Sequence, residues 1–177
     1  MTRLFAIFIV ILMSFPAMAM TSDERTTLRA QLLNNLKSAK TEAEGRAAEN
    51  AIRYFWLKGP DIDATAKLLT AIQARRHYDF SKAMLILNKL IADTPDYAEA
   101  YNQRAFLYFL LRKYDKSLED IEITLAKEPM HFGAITGRAI IFLHQGRSQL
   151  ARKSLIQAIG IHPWLRERVF LTRIPAS

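Results

Sequence analysis

A chain of 177 residues, 50% hydrophobic and 24% charged, is long and apolar enough to fold around a core of its own, which excludes a wholly disordered segment. It has no cysteine, which excludes a disulfide framework, a lipid-bearing cysteine, thiolate chemistry and haem attachment through cysteine pairs. The net charge of +8 is spread thinly, since no basic run exceeds the pairs Arg75-Arg76, Arg112-Lys113 and Arg152-Lys153; the surplus reads as a solvated basic surface, and nucleic acid is not an expected partner.

The first element is an address. Arg3 supplies a positive start, residues 4–15 are apolar apart from Ser14, and Ala17 and Ala19 place small residues at −3 and −1 of a cleavage site. The apolar core has 12 residues, against the roughly 20 needed to span a bilayer, so cleavage after Ala19 is expected rather than a permanent membrane anchor. Residues 1–19 thus read as a signal peptide. The remaining 158 residues form one domain that is exported, with a bacterial periplasm as the best fit.

Residues 20–63 read as a helical hairpin. Leu28, Leu32, Leu33 and Leu36 make one apolar stripe, and Ile52, Phe55, Trp56 and Leu57 make another. Between them, Thr41 and Glu44 form a T-x-x-E capping box that puts the second helix start near Glu42. Gly59-Pro60 ends that helix, and Asp63 is placed to cap the next.

From there the chain repeats. Pro95, Pro129 and Pro163 are 34 residues apart each time, and other columns share the register. With proline at position 32, position 8 holds Ala71, Ala105 and Ala139, while position 20 holds Ala83, Ser117 and Ala151. Larger residues fill the intervals, as Leu87, Ile121 and Leu155 do at position 24. Within one unit, Ala100, Tyr101, Ala105, Phe106, Tyr108 and Phe109 recur at helical spacing, Asp115 is placed to cap a second helix, and Leu118, Ile121 and Leu125 resume the stripe. One such pair cannot bury both of its apolar faces, so the units must stack.

This set of columns resembles the tetratricopeptide repeat (TPR) family. The resemblance covers residues 64–163, with mild departures in the first unit, where Lys67 replaces an aromatic at position 4 and Ala74 a bulky residue at position 11. It implies an all-α fold, a right-handed α-solenoid of three helix-turn-helix units at 64–97, 98–131 and 132–163. Residues 20–63 would then cap one exposed end, the alternative being a partner-binding hairpin. Residues 164–177 would be a closing helix and tail, with Trp164, Leu165, Val169 and Phe170 buried against Ile156 and Ile159.

The four histidines, His77, His131, His144 and His162, show none of the spacings that bring two ligands to one metal, and no phosphate-binding or nucleophile motif occurs. Glu119, Asp120 and Glu122 follow one another on a helix surface among lysines and read as a solvated face. No cofactor and no enzymatic activity are expected. The resemblance instead implies a concave groove lined by Leu68, Ile72, Arg75 and Arg76 from the first unit, with Asn102, Phe106, Phe109 and Leu110 from the second. Thr136, Ile140, Leu143 and His144 complete it from the third. An apolar surface with arginines at one end suits a peptide or helix of another protein, expected to be an envelope protein, unless the N-terminal hairpin itself fills the groove. The family's carboxylate clamp is missing, since its positions hold Leu68, Ile72, Gln103, Gly133 and Gly137. The alternative functions are a basic adaptor for anionic lipid or cell-wall polymer, and an accessory subunit of an enzyme.

Overall fold

The computed structural model describes residues 21–174, so the expected signal peptide with Ala17 and Ala19 lies outside the described residues. The order is α1 (Ser22–Ser38), α2 (Glu42–Leu57), α3 (Ile62–Arg76), α4 (Phe80–Asp93), α5 (Ala98–Leu110), α6 (Tyr114–Lys127), α7 (Phe132–His144) and α8 (Ser148–Ile161), followed by a 3-10 helix over Arg166–Arg173. The described residues contain helices and no strands.

Helix starts follow the backbone rather than the nearest acidic residue. A complete capping box stands at Thr21 and Glu24. At Thr41 only half of one forms: its side chain accepts from the Glu44 amide, but the Glu44 carboxylate takes the amide of Lys40 at 2.8 Å. The cap of α3 is Asp61, which accepts from the Ala64 amide at 2.7 Å, and not Asp63, which lies inside the helix and pairs with Lys67. Likewise Asp115 is no cap. It sits in the first turn of α6, whose start after Lys113 has no side-chain cap, and there its charge favours the helix dipole.

Each of the three repeat pairs turns through one left-handed residue. These are Tyr78 (φ 61°), Arg112 (φ 56°) and Gly146 (φ 71°), all at position 15 of their units. Only the third uses the residue type that adopts this conformation without steric cost. Inside the pairs the small columns allow close approach, and Ser117 uses it to donate to the Ala105 carbonyl at 2.7 Å.

Between units, positions 3 and 10 meet the preceding pair. Ala100 and Leu107 are buried in the core of the first unit, and Ala134 and Ile141 in that of the second. The counterparts in α3 are Ala66 and Gln73, both exposed, with exposed Thr70 between them. The first unit therefore meets solvent with a polar outer face, and the hairpin does not stack there as a cap. Instead α1 and α2 cross to the other end of the array. Leu33, Leu36, Ile52, Phe55 and Trp56 form one core with Phe132, Ile135, Ala158 and Ile161 of the third unit. The ion pair of Arg29 with Glu128 at 3.2 Å, and the bond from the Tyr97 hydroxyl to the Leu57 carbonyl, fix its path.

The closing segment is a 3-10 helix where an α-helix was expected. Phe170, Leu171 and Ile174 pack on Ala139, Ala151 and Leu155, while Ile156 points outward at 52% exposure and takes no part. Trp164 precedes the 3-10 helix and donates from Nε1 to the Ala39 carbonyl in the hairpin turn at 2.9 Å. Gly45 makes room for it, since a Cβ there would lie 2.8 Å from the Trp164 Cβ.

Candidate functional site

Crossing the array leaves part of its concave side open. A cavity of about 360 Å³ lies between α5 and α7, walled by the hairpin through Arg53 and by the closing segment through Leu165 and Glu167. Its apolar wall includes Phe106, Phe109, Ile121, Ile140 and Ile141, and Gly133 and Gly137 keep the α7 side low. Phe106 is the exposed part of this wall, at 42%, and stacks 6.4 Å from Phe109.

Of the residues expected in the groove, the structure brings Arg75, Asn102, Phe106, Phe109, Thr136 and Ile140 to this one cavity. The others lie elsewhere. Leu68 is fully buried in the first unit's core, where Ile72 also packs. Arg76 is exposed outside the cavity, as is Leu110 at 39%. Leu143 packs with Phe170 and Leu171, and His144 meets Phe109 edge-on at 5.4 Å and stacks on Tyr114 at 5.8 Å. The cavity also takes in Arg53, Gln103, Leu165 and Glu167, which are not among the residues expected in the groove. Gln103 sits one position from Asn102 on the same helix and is legible from the sequence. The rest arrive by long-range folding.

A polar chain runs from the cavity into the core. The Arg75 guanidinium lies 4.4 Å over the Phe106 ring and donates to Gln103 Oε1 at 3.4 Å. Gln103 in turn donates to Glu99, which also accepts from Asn102 and from His131 Nε2 at 2.9 Å. Glu99 is buried at 6% exposure. Burial pushes its carboxyl up, but the bonds from His131, Gln103 and Asn102 outweigh that and hold it below the usual carboxylate range. The Ala134 amide donates to His131 Nδ1, which leaves the ring proton on Nε2, facing Glu99.

The second buried histidine ties the hairpin down. His162 Nε2 lies 3.2 Å from Glu49 of α2, whose other oxygen accepts from Arg53 at 2.8 Å. The His162 bond lowers the Glu49 carboxyl to about 2, against the opposing effect of burial and with help from Arg53. A depressed carboxylate stabilises the fold above its unfolded value near 4.5, and that share is lost as the pH falls toward 2. Urea unfolding across this window is expected to show a steeper loss for the parent than for Glu49→Gln. Superimposable pH profiles would show that the pair does not act in the folded state.

His131 and His162 each face a single carboxylate, and no group of three metal-binding side chains occurs among the described residues. No helix among them is long and apolar enough to cross a membrane. What the arrangement offers chemically is an apolar wall bordered by the polar side chains of Arg53, Arg75, Asn102, Gln103 and Glu167, a lining suited to holding a ligand.

No family model matches the chain. It is 37% identical over 138 residues to the TPR repeat-containing protein RHE_CH03534.1 of Rhizobium etli, covering 75% of this chain and 65% of that protein's length. It is also 29% identical over 85 residues to sperm-associated antigen 1 of Mus musculus, covering 48% of this chain and 9% of the mouse protein. The solved structure MamA MSR-1 C2 shares the fold at a TM-score of 0.50 with 18% identity, covering 78% of this chain and 77% of that one. The 34-residue register, the stacked helix pairs built on it and the Rhizobium relative, of which the chain spans just under two thirds, agree: the chain is an α-solenoid of tetratricopeptide-type helix pairs and is similar to a TPR repeat-containing protein.

Proposed function

We propose that the chain is a non-enzymatic protein-interaction module of the bacterial cell envelope, holding a segment of a partner protein in the cavity between α5 and α7. The observation that carries this reading is Phe106, a large aromatic left 42% exposed at an apolar cavity and covered on one side by Arg75. Interface hot spots favour such rigid side chains, with arginine beside them. The cavity's volume of about 360 Å³ suits a few side chains, not the ~10–12 Å cylinder of a helix. The partner segment therefore enters extended. TPR proteins as a class bind other proteins without catalysis, and the apolar N-terminal stretch with Ala17 and Ala19 supports export.

Crosslinking of the full chain in whole cells, followed by mass spectrometry, tests both halves of the proposal. The expected result is a mature N-terminus at Met20 and a discrete envelope partner whose crosslink falls at least tenfold in Phe106→Ala, a cost of roughly 1.4 kcal/mol or more. A chain still beginning at Met1 in the membrane fraction overturns the export. An undiminished crosslink in a folded Phe106→Ala protein overturns the groove.

A further inference from the structure

We infer that the groove reads its ligand by charge at both ends: an extended segment with a carboxylate at Arg75, a bulky apolar side chain against Phe106, Phe109 and Ile140, and a cationic side chain at Glu167. This rests on the proposal that the cavity binds a partner's segment, and adds to it the chemistry of that segment.

Arg75 is a poised cation. Arg29, Arg46, Arg53, Arg104 and Arg138 each have a carboxylate partner within 3.2 Å, whereas Arg75, among the described residues, has none and keeps one long bond to the Gln103 amide oxygen. It is half-buried, so its charge is poorly met by water, and Arg76 beside it adds to the local positive potential. Glu99, the anion behind Gln103, has both oxygens engaged by Asn102, Gln103 and His131. Arg53 also borders the cavity, but its charge is met by Glu49.

Glu167 is the opposite case. It lines the same cavity, is half-buried, and its carboxylate has no hydrogen-bond or ion-pair partner among the described residues. Of its basic neighbours, Arg168 is turned onto the Trp164 ring at 5.4 Å and Arg166 is exposed. Arg75 is held on the α5 wall by Phe106 and Gln103, while Glu167 follows Leu165, which packs on Phe132 and Ile135 of α7. The two unpaired charges thus flank the apolar wall. With neighbouring helices ~8–10 Å apart and ~3.3 Å per extended residue, one helix spacing puts the ligand's acid and base about three residues apart. A segment with like charges at both ends leaves one of them against a half-buried group of its own sign, which is penalised.

Three synthetic peptides, blocked at both ends and alike but for two positions flanking a central Leu, test this by fluorescence polarisation: Asp with Lys, Asp with Asp, and Lys with Lys. The parent is expected to bind the mixed peptide roughly tenfold tighter than either other. Glu167→Lys should shift the preference to the doubly acidic peptide, Arg75→Glu to the doubly basic one, and the double variant should recover the mixed peptide. Circular dichroism checks that each variant folds. Equal binding of all three peptides to the parent, or an unchanged order in Glu167→Lys, overturns the inference. If Phe106→Ala then weakens all three alike, the groove itself still stands. If no peptide binds, or Phe106→Ala changes nothing, both readings fall.

Discussion

Trp56→Ala is expected to destabilise the protein by about 3 to 5 kcal/mol, the range for truncating a buried large aromatic. Trp56 is 4% exposed, stacks on His131 with centroids 4.0 Å apart, and packs against Phe132 at 5.4 Å. It is one of the side chains by which α2 reaches the third unit, beside Ile52 and Phe55, so its loss opens a cavity at the junction and weakens the hold on the hairpin. One feature works the other way. The indole Nε1 is buried with no hydrogen-bond partner, and removing it relieves a small penalty. Trp56→Phe, which keeps the stacking and discards that nitrogen, should therefore cost much less. Urea unfolding followed by far-UV circular dichroism measures all three proteins. A loss under about 1 kcal/mol for Trp56→Ala would mean that the hairpin is not docked on the third unit in solution.

His131→Ala should cost a comparable amount, about 3 to 5 kcal/mol, because it takes away the hydrogen-bond donor of a buried carboxylate and leaves that charge behind. Its ring does three things at once: it donates to Glu99, accepts the Ala134 amide at the start of α7, and supports Trp56. Without that bond, burial dominates at Glu99 and its folded-state carboxyl rises above the unfolded value. Such a group favours folding below the unfolded value and loses that contribution as the pH rises. The deficit of His131→Ala relative to the parent is accordingly expected to be smaller at pH 5 than at pH 7 in the same unfolding experiment. A deficit that does not change with pH would show that Glu99 stays ionised through other bonds.

The repeat array was legible because its signal is local and periodic. Small residues at positions 8 and 20 and proline at 32 state where two helices touch and where each pair ends. The hairpin's route was not, because an amphipathic stripe says that a face must be covered and is silent about what covers it. Leu36 and Ile52 would read the same packed on α3 as on Phe132 and Ile161. The one hint lay in Gln73, polar where the later units carry Leu107 and Ile141, a sign that nothing stacks on α3. The groove divides the same way. Arg75, Asn102, Phe106, Phe109, Thr136 and Ile140 follow from position in the repeat, whereas Arg53 and Glu167 reach the cavity only because the flanking segments fold back over it. Leu68 misled because it turns inward to a core that the unit's own second helix completes. The caps failed for a narrower reason: Asp61 and Asp63 are chemically alike, and only the extended backbone at Asp61 decides between them.

The bond from Trp164 to the Ala39 carbonyl joins residues 125 apart in a fold whose other contacts mostly link neighbours. An open solenoid behaves as a one-dimensional array, in which end repeats fray first and folding can start anywhere. Fastening the hairpin turn to the segment after the last repeat ties down the third unit's end of the row and leaves the outer face of α3 as the uncovered one. The third unit cannot melt without releasing the hairpin, and the hairpin cannot leave without uncovering Phe132. Melting of the third unit and release of the hairpin are thereby coupled, and that docking must await a contact that spans most of the chain.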